Sequence, residues 1–79
     1  MARVLLFGRL SDLAGWRERD VDSPSIAALR TLLGAQDAVL GEALAGPGVQ
    51  VALDQAIVRG DAGLTARSEV AFLPPMSGG

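Results

Sequence analysis

The candidate reacting group of this chain is the backbone carboxylate at the end of the sequence. Gly78 and Gly79 have no Cβ that would clash with the walls of a narrow channel. The carboxylate can therefore enter a confined site, where a partner can hold the backbone amides from both sides. Adenylation by ATP would turn it into a mixed anhydride, and a sulfur nucleophile would then convert it to a thiocarboxylate. We expect Gly79 to be the reacting residue.

Side chains offer little alternative chemistry. The sequence has no Cys, His or Tyr, and its seven basic residues are all Arg. This composition excludes a thiol nucleophile, a disulfide, a thiolate metal site and a lysine Schiff base, and it removes the commonest general base. Asp54 and Asp61 are expected to be turn residues, since neither has a paired-carboxylate or metal-ligand spacing. We expect no independent enzyme, no metal site and no bound cofactor.

Length and charge limit the remaining classes of protein. The 79 residues make one small domain, and the 49% of hydrophobic residues argue that it folds. The formal net charge of -2 and the pI near 4.8 disfavour a nucleic-acid partner. Apolar stretches stay shorter than the ~18 residues of a membrane span, and the first residues lack a signal-peptide pattern. We expect a cytoplasmic protein without a membrane partner.

The first 21 residues predict a strand, a short helix and a second strand. Residues 1–7 form an apolar run whose length suits a buried strand. Residues 8–15 place three apolar side chains at helical spacing between two glycines. Residues 16–21 alternate charged with less polar side chains, which is typical of a partly exposed strand.

Two helices are predicted in the middle of the chain. The Ser23-Pro24-Ser25 segment is typical of a helix start, with either serine as the N-cap, and Gly34 is predicted to end this helix. The residues on its apolar face are Ile26, Leu29, Leu32 and Leu33. Asp37 is predicted to cap a second short helix before the break at Gly46-Pro47-Gly48. The residues expected on one side of that helix are Val39, Leu40, Ala43 and Leu44.

The remaining elements are predicted to be strands. Residues 49–53 alternate between apolar and less apolar side chains, and Asp54-Gln55 would turn the chain into a return strand over residues 56–59. Residues 60–63 read as a turn-rich linker, and residues 69–73 as a last apolar strand. The order of elements predicts an α+β domain in which a mixed sheet folds over one main helix.

The end of the sequence predicts a stalk that projects from this domain. Pro74 and Pro75 have no N–H to donate, so they stop the last strand and extend the chain away from the sheet. The prediction is a domain over residues 1–75 and a flexible tail over residues 76–79. Those four residues reach about 13 Å at ~3.3 Å each.

The closing segment also resembles a known family. Residues 70–79 read VAFLPPMSGG, which is similar to the C-terminal signature of the MoaD family, the small sulfur-carrier subunits of molybdopterin synthase. Residues 4–15 (VLLFGRLSDLAG) are similar to the family's first strand and short helix, residues 25–33 to its central helix, and residues 49–58 to its middle hairpin. The family often has two aromatic residues before Pro-Pro, where this chain has Phe72 and then Leu73.

The resemblance implies a ubiquitin-like β-grasp fold and a carrier without activity of its own. A MoeB-type enzyme would adenylate Gly79 with ATP, and a sulfurtransferase system would make the thiocarboxylate. The tail would enter the large subunit, MoaE, and donate sulfur to a cyclic pyranopterin monophosphate, within a heterotetramer. The tail residues that the partner would bind are Pro74, Pro75, Met76, Ser77 and Gly78.

Two apolar residues near the tail are expected at the partner surface. Phe72 and Leu73 are neighbours on one strand, so they point to opposite faces. By analogy with the family, we expect Leu73 and Phe7 to contact the partner. Met76, a flexible apolar side chain on the stalk, is expected to anchor in the partner's channel.

Other functions share the same features. The thiazole-pathway carrier ThiS has the same fold and Gly-Gly end, although its chains are typically shorter and lack the Phe-x-Pro-Pro stretch. Carriers for cysteine synthesis are further relatives. A ubiquitin-like modifier of target lysines and a plain interaction domain with an incidental tail belong to different classes, and deletion of Gly79 separates the interaction domain from the rest.

Overall fold

A five-stranded mixed sheet with three helices packed on one face makes up the fold. The computed structural model describes residues 1–75, and the predicted tail over residues 76–79 lies outside the described residues. The elements in chain order are β1 (Ala2–Leu6), α1 (Arg9–Ala14), β2 (Glu18–Val21), α2 (Ile26–Gln36), α3 (Ala38–Leu44), β3 (Gln50–Leu53), β4 (Ala56–Val58) and β5 (Glu69–Leu73).

The sheet joins the first strand of the chain to the last. Its strand order is β2-β1-β5-β3-β4, which places β5 in the centre. Strands β1 and β5 run parallel, with Val4 opposite Val70 and Leu6 opposite Phe72, and the other pairs are antiparallel. The predicted mixed sheet over one main helix is confirmed, and this topology is the ubiquitin-like β-grasp fold.

The core lies between the helices and one face of the sheet. Alternate residues of the two central strands face the helices, and among them Val4, Val70 and Phe72 are fully buried. They pack in one cluster with Leu29 and Leu33 of α2. Full burial of each such side chain contributes about 1.5–3 kcal/mol, so this cluster is the main source of stability for so short a chain.

The start of α2 has an acceptor for each of its first three backbone N–H groups. Of the two candidate caps, Ser25 is the N-cap, and its Oγ accepts from the third N–H at 3.1 Å. The first and second N–H groups donate to the Ala62 carbonyl at 3.0 Å and to Asp61 Oδ1 at 2.9 Å. Asp61, predicted only as a turn residue, therefore also fixes the helix to the loop before β5.

The prediction that Gly34 ends the main helix is wrong. Helix α2 continues through Gly34 to Gln36 because this glycine lies in the contact between α2 and α3. A Cβ on Gly41 of α3 would lie 2.7 Å from the Gly34 Cα. The two glycines let the helix backbones approach closely, which is a packing role that a helix-end signal does not reveal.

The second short helix is confirmed, with one error about its buried side. Asp37 is its N-cap, and the carboxylate accepts from the backbone N–H of Leu40 at 3.1 Å. Leu40 and Leu44 are buried, whereas Val39 is 57% exposed, contrary to the prediction. A helix of only seven residues presents the i, i+4 pair to the core, and Val39 is rotated about 100° away from it.

The hairpin of β3 and β4 is confirmed, and its turn is tied to the central strand. Asp54 and Gln55 have φ angles of 50° and 72°, the left-handed region that two-residue hairpin turns require. The Asp54 carboxylate accepts from the backbone N–H of Glu69 at 2.9 Å, and its own N–H donates to the Glu69 carbonyl at 2.8 Å. The turn therefore fixes the start of β5.

Alanine at the two glycines of the helix contact is expected to change stability in opposite directions. Gly41→Ala forces a Cβ against helix backbone and should lower the free energy of unfolding by about 1–3 kcal/mol. In Gly34→Ala the new Cβ lies 3.5 Å from the Gly41 Cα, an ordinary contact, so helix propensity should raise stability by up to about 1 kcal/mol. Urea unfolding of both variants measures the difference, and equal stabilisation by both would contradict the close approach.

Candidate functional site

The chain leaves the sheet at the end of β5, which we call the tail exit (Leu73 to Pro75). On the β1 side, the backbone N–H of Phe7 donates to the Phe72 carbonyl at 3.2 Å. On the β3 side, Gln50 lies opposite Leu73. Strand β5 ends at Leu73, as the two prolines predict, because neither can donate to a neighbouring strand.

Two glycines that were predicted only to bound a helix or to form a turn lie against these prolines. A Cβ on Gly8 would lie 3.0 Å from Pro74 Cγ, and a Cβ on Gly48 would lie 2.8 Å from Pro75 Cβ. Their φ angles are +56° and +83°, which L side chains rarely adopt. The Gly46-Pro47-Gly48 pattern predicts the turn, which is closed by a bond from the Val49 N–H to the Gly46 carbonyl at 3.5 Å, but not its contact with the tail exit.

The two phenylalanines lie on opposite faces of the sheet. Phe72 is fully buried against the helices, whereas Phe7 is 46% exposed and Leu73 is half-buried. The register that pairs Leu6 with Phe72 brings Phe7 beside Leu73 on the outer face, away from the helices. The structure therefore places together the two residues that were expected at the partner surface.

The outer face extends this apolar area across four strands. Ala52 of β3 and Ala71 of β5 are opposite each other and only 8% exposed, and they are flanked by Leu5 of β1 and Ile57 of β4. Ile57 is 50% exposed and was missed by the sequence analysis, although its position one residue before the inward-facing Val58 is a signal for the outer face. We call this set the outer apolar surface: Leu5, Phe7, Ala52, Ile57, Ala71 and Leu73.

A second apolar feature lies on the helical side of the tail exit. A groove of about 280 Å³ runs between α1, the end of α3 and the turn before β3. Leu13, which is 42% exposed, lines it together with Pro47, Val49 and Pro75. The tail exit is thus bordered by apolar surface on both sides.

Charged residues are concentrated at the β2 edge, and Arg9 also lines the groove beside Pro75. Residues 17–20 of this edge are exposed, as predicted, and Glu18 lies 3.5 Å from Arg3. The half-buried Trp16 ring has the Arg19 guanidinium 4.4 Å from its centroid. Among residues 1–75, no group of three acidic side chains is placed to hold a metal ion, and no helix is long and apolar enough to cross a bilayer.

Comparison with known proteins establishes the family. The ThiS family matches residues 4–79. The chain belongs to the ThiS family. The molybdopterin synthase sulfur carrier subunit of Escherichia coli (strain K12) is 37% identical to it over 81 residues, covering 100% of both proteins. The resemblance stated from the tail motif is therefore confirmed along the whole of this ThiS-family chain.

Solved structures confirm the fold. The crystal structure of SAMP1 from Haloferax volcanii superimposes with a TM-score of 0.80 at 24% identity, covering 99% of this chain and 98% of that one. The solution structure of small archaeal modifier protein 1 from Methanosarcina acetivorans gives a TM-score of 0.86 at 19% identity, covering 99% and 95%. At these identities the likeness concerns the ubiquitin-like β-grasp architecture alone.

The candidate reacting residue, Gly79, and the tail residues Met76, Ser77 and Gly78 lie outside the described residues. Of the predicted site, the structure describes the two prolines and the two apolar residues beside them. All four lie at the same end of the sheet. The sequence did not predict this, because Phe7 is separated from the other three by almost 70 positions.

The two phenylalanines are expected to differ sharply in their effect on stability. Phe72→Ala removes a fully buried ring and should lower the free energy of unfolding by about 3–5 kcal/mol. Phe7→Ala removes a ring that is 46% exposed, so it should change stability by less than about 1 kcal/mol. Urea or thermal unfolding measures both, and a large loss in Phe7→Ala would assign Phe7 to the core.

Proposed function

We propose that this chain is a sulfur carrier for molybdopterin synthesis and that the Gly79 carboxylate carries the sulfur as a thiocarboxylate. The observation that supports this most is the end-to-end identity of 37% with the Escherichia coli sulfur carrier subunit. The absence of Cys, His and Lys side chains agrees with a protein whose backbone, rather than its side chains, takes part in the reaction.

The proposed chemistry has two steps before sulfur transfer. A carboxylate oxygen of Gly79 attacks the α-phosphorus of ATP, pyrophosphate leaves, and an acyl-adenylate forms. A sulfur nucleophile at the oxidation level of sulfide then attacks the acyl carbon, and AMP leaves as the C–S bond forms. Transfer of that sulfur to a cyclic pyranopterin monophosphate, with water supplying the replacement oxygen, returns the carboxylate, and two such transfers build a dithiolene.

The proposed partners supply what the chain lacks. A MoeB-like enzyme binds ATP and activates Gly79, a sulfurtransferase provides the sulfur, and a MoaE-like large subunit holds the pterin, with one carrier at each end of a heterotetramer in the cytoplasm. The tail residues from Pro74 to Gly78 would lie in the partner's channel. Phe7, which is 46% exposed beside the tail exit, supports docking through the outer apolar surface, because exposed apolar residues are common at protein interfaces.

Two alternatives remain close in kind. The family match accommodates a carrier for the thiazole pathway, and this chain shares its fold with the two archaeal neighbours, one of which is named a small archaeal modifier protein. Both carriers would bear a thiocarboxylate, so the molecule that accepts the sulfur separates them. A modifier would instead form an isopeptide bond with a lysine of a target protein.

The thiocarboxylate can be detected directly because the chain has no other thiol. Protein purified from cells that contain the activating enzyme and sulfur donor should gain one adduct with a thiol alkylator, as measured by intact mass. Alkylation is required because oxidation of a methionine adds nearly the same mass as the exchange of oxygen for sulfur.

The matched control is the same protein without Gly79. This deletion should abolish the adduct while leaving the melting temperature unchanged. Absence of an adduct on the full chain, with both activating components shown to be active, would overturn the carrier proposal.

Docking through the outer apolar surface is tested by one aromatic residue. Phe7→Ala should raise the Kd for the large subunit by about tenfold or more, since a buried aromatic anchor contributes strongly to binding. Val39→Ala is the matched control, because Val39 is 57% exposed but lies on α3, across the sheet from the outer apolar surface. Isothermal titration measures both, and equal affinities would exclude docking through Phe7.

A further inference from the structure

The tail exit is held between two segments that are distant in the sequence. Gly8 lies in the link from β1 to α1, and Gly48 lies in the turn between α3 and β3. Each abuts one of the two prolines: a Cβ on Gly48 would clash with Pro75 Cβ at 2.8 Å, and a Cβ on Gly8 would make a tight contact with Pro74 Cγ at 3.0 Å. We infer that Gly8 and Gly48 are positioning residues, which set the direction in which the chain leaves the sheet towards its reactive end.

The contacts of Gly8 and Gly48 with the prolines are not a consequence of their positive φ angles. Among residues 1–75, four glycines have positive φ, and a Cβ on Gly15 or Gly60 would meet nothing within 4 Å. Only Gly8 and Gly48 of these four lie against other atoms, and the nearest atoms in both cases belong to the prolines. Gly15 and Gly60 therefore serve backbone conformation alone, whereas Gly8 and Gly48 also provide space for the prolines of the tail exit.

Both positioning glycines are themselves held in place. The Gly8 carbonyl accepts from the Ser11 N–H at 3.1 Å and from Ser11 Oγ at 2.8 Å, which fixes it to the first turn of α1. Gly48 lies in the turn that the hydrogen bond from the Val49 N–H to the Gly46 carbonyl closes. The residue before it is Pro47, whose φ is restricted. A rigid proline ring against a fixed backbone has few alternative positions, so the direction of exit is set before any partner binds.

The direction of exit determines where the reactive group arrives. This inference rests on the proposed function, in which Gly79 must reach the active site of the activating enzyme. Residues 76–79 can reach at most about 13 Å when fully extended, so a displacement of Pro75 changes which positions Gly79 can reach. Ordering the prolines in the free carrier also avoids part of the entropy loss on insertion.

A Cβ at Gly48 is expected to move the tail rather than unfold the domain. It would meet the rigid Pro75 ring, so the ring would have to move, and residues 76–79 would move with it. Gly60 is the matched control because its φ of +79° is close to the +83° of Gly48 and its surroundings are open. The strain from the left-handed backbone should therefore be similar in Gly48→Ala and Gly60→Ala.

The experiment compares these two variants for stability and for thiocarboxylate formation with the activating enzyme and sulfur donor. Both should lower the melting temperature by a similar amount. The kcat of thiocarboxylate formation should fall about 10- to 100-fold in Gly48→Ala and stay within about twofold of wild type in Gly60→Ala. The KM for the carrier should stay unchanged in both, since a positioning residue affects the reaction step rather than binding.

A second pair keeps the test decisive if alanine prevents folding. Asn tolerates positive φ better than Ala, so Gly48→Asn and Gly60→Asn add the Cβ at lower strain and should show the same contrast in kcat. At the other glycine, Gly8→Ala should lower the kcat of thiocarboxylate formation, and adding Pro74→Ala should partly restore it. The second substitution removes the Cγ and Cδ that the new Cβ would meet.

The outcomes separate this inference from the proposed function. If wild type forms the thiocarboxylate but Gly48 and Gly60 variants have equal kcat, the positioning role is overturned and the carrier proposal stands. If kcat falls in proportion to stability in both variants, the role of Gly48 is structural only, which also overturns it. If wild type forms no thiocarboxylate with active enzymes, the carrier proposal fails and the inference fails with it.

Discussion

The parallel pairing of β1 with β5 is the constraint on which the rest of the structure depends. It joins the first and last strands of the described chain in the centre of the sheet, with Val4 opposite Val70 and Leu6 opposite Phe72. Four fully or nearly fully buried side chains in these two pairs make the register costly to change. Because this register fixes where β5 ends, it also fixes where Pro74 and Pro75 leave the domain.

The same register divides apolar residues between two roles. Residues of even parity in β1 and β5 enter the core, and those of odd parity form the outer face, so Phe72 stabilises the fold while Phe7 remains available to a partner. Burial of one aromatic contributes to folding, and exposure of the other supports docking beside the tail exit. A small domain can thus combine stability with a binding surface on the two faces of one sheet.

A carrier of this kind needs a rigid base more than it needs reactive side chains. The helix start at Ser25 and Asp61, the close contact of Gly34 with Gly41, and the turn that fixes Glu69 to Asp54 all stabilise the base from which the tail leaves. None of these contacts belongs to the reaction. They maintain the position of the tail exit, while the proposed activating enzyme and large subunit provide the chemistry.

The order and type of the elements were determined by the sequence alone, because hydrophobic periodicity, the Ser25 and Asp37 caps and the proline stop are local signals. The Pro-Pro-Met-Ser-Gly-Gly motif likewise indicated the family and the candidate reacting residue. Only the tertiary structure decided the strand order, the continuation of α2 through Gly34, the exposure of Val39 and Ile57, and the contacts of Gly8 and Gly48 with the prolines. These features depend on which segments meet in space, and a glycine that makes room for a distant residue has the same local signal as one that makes a turn.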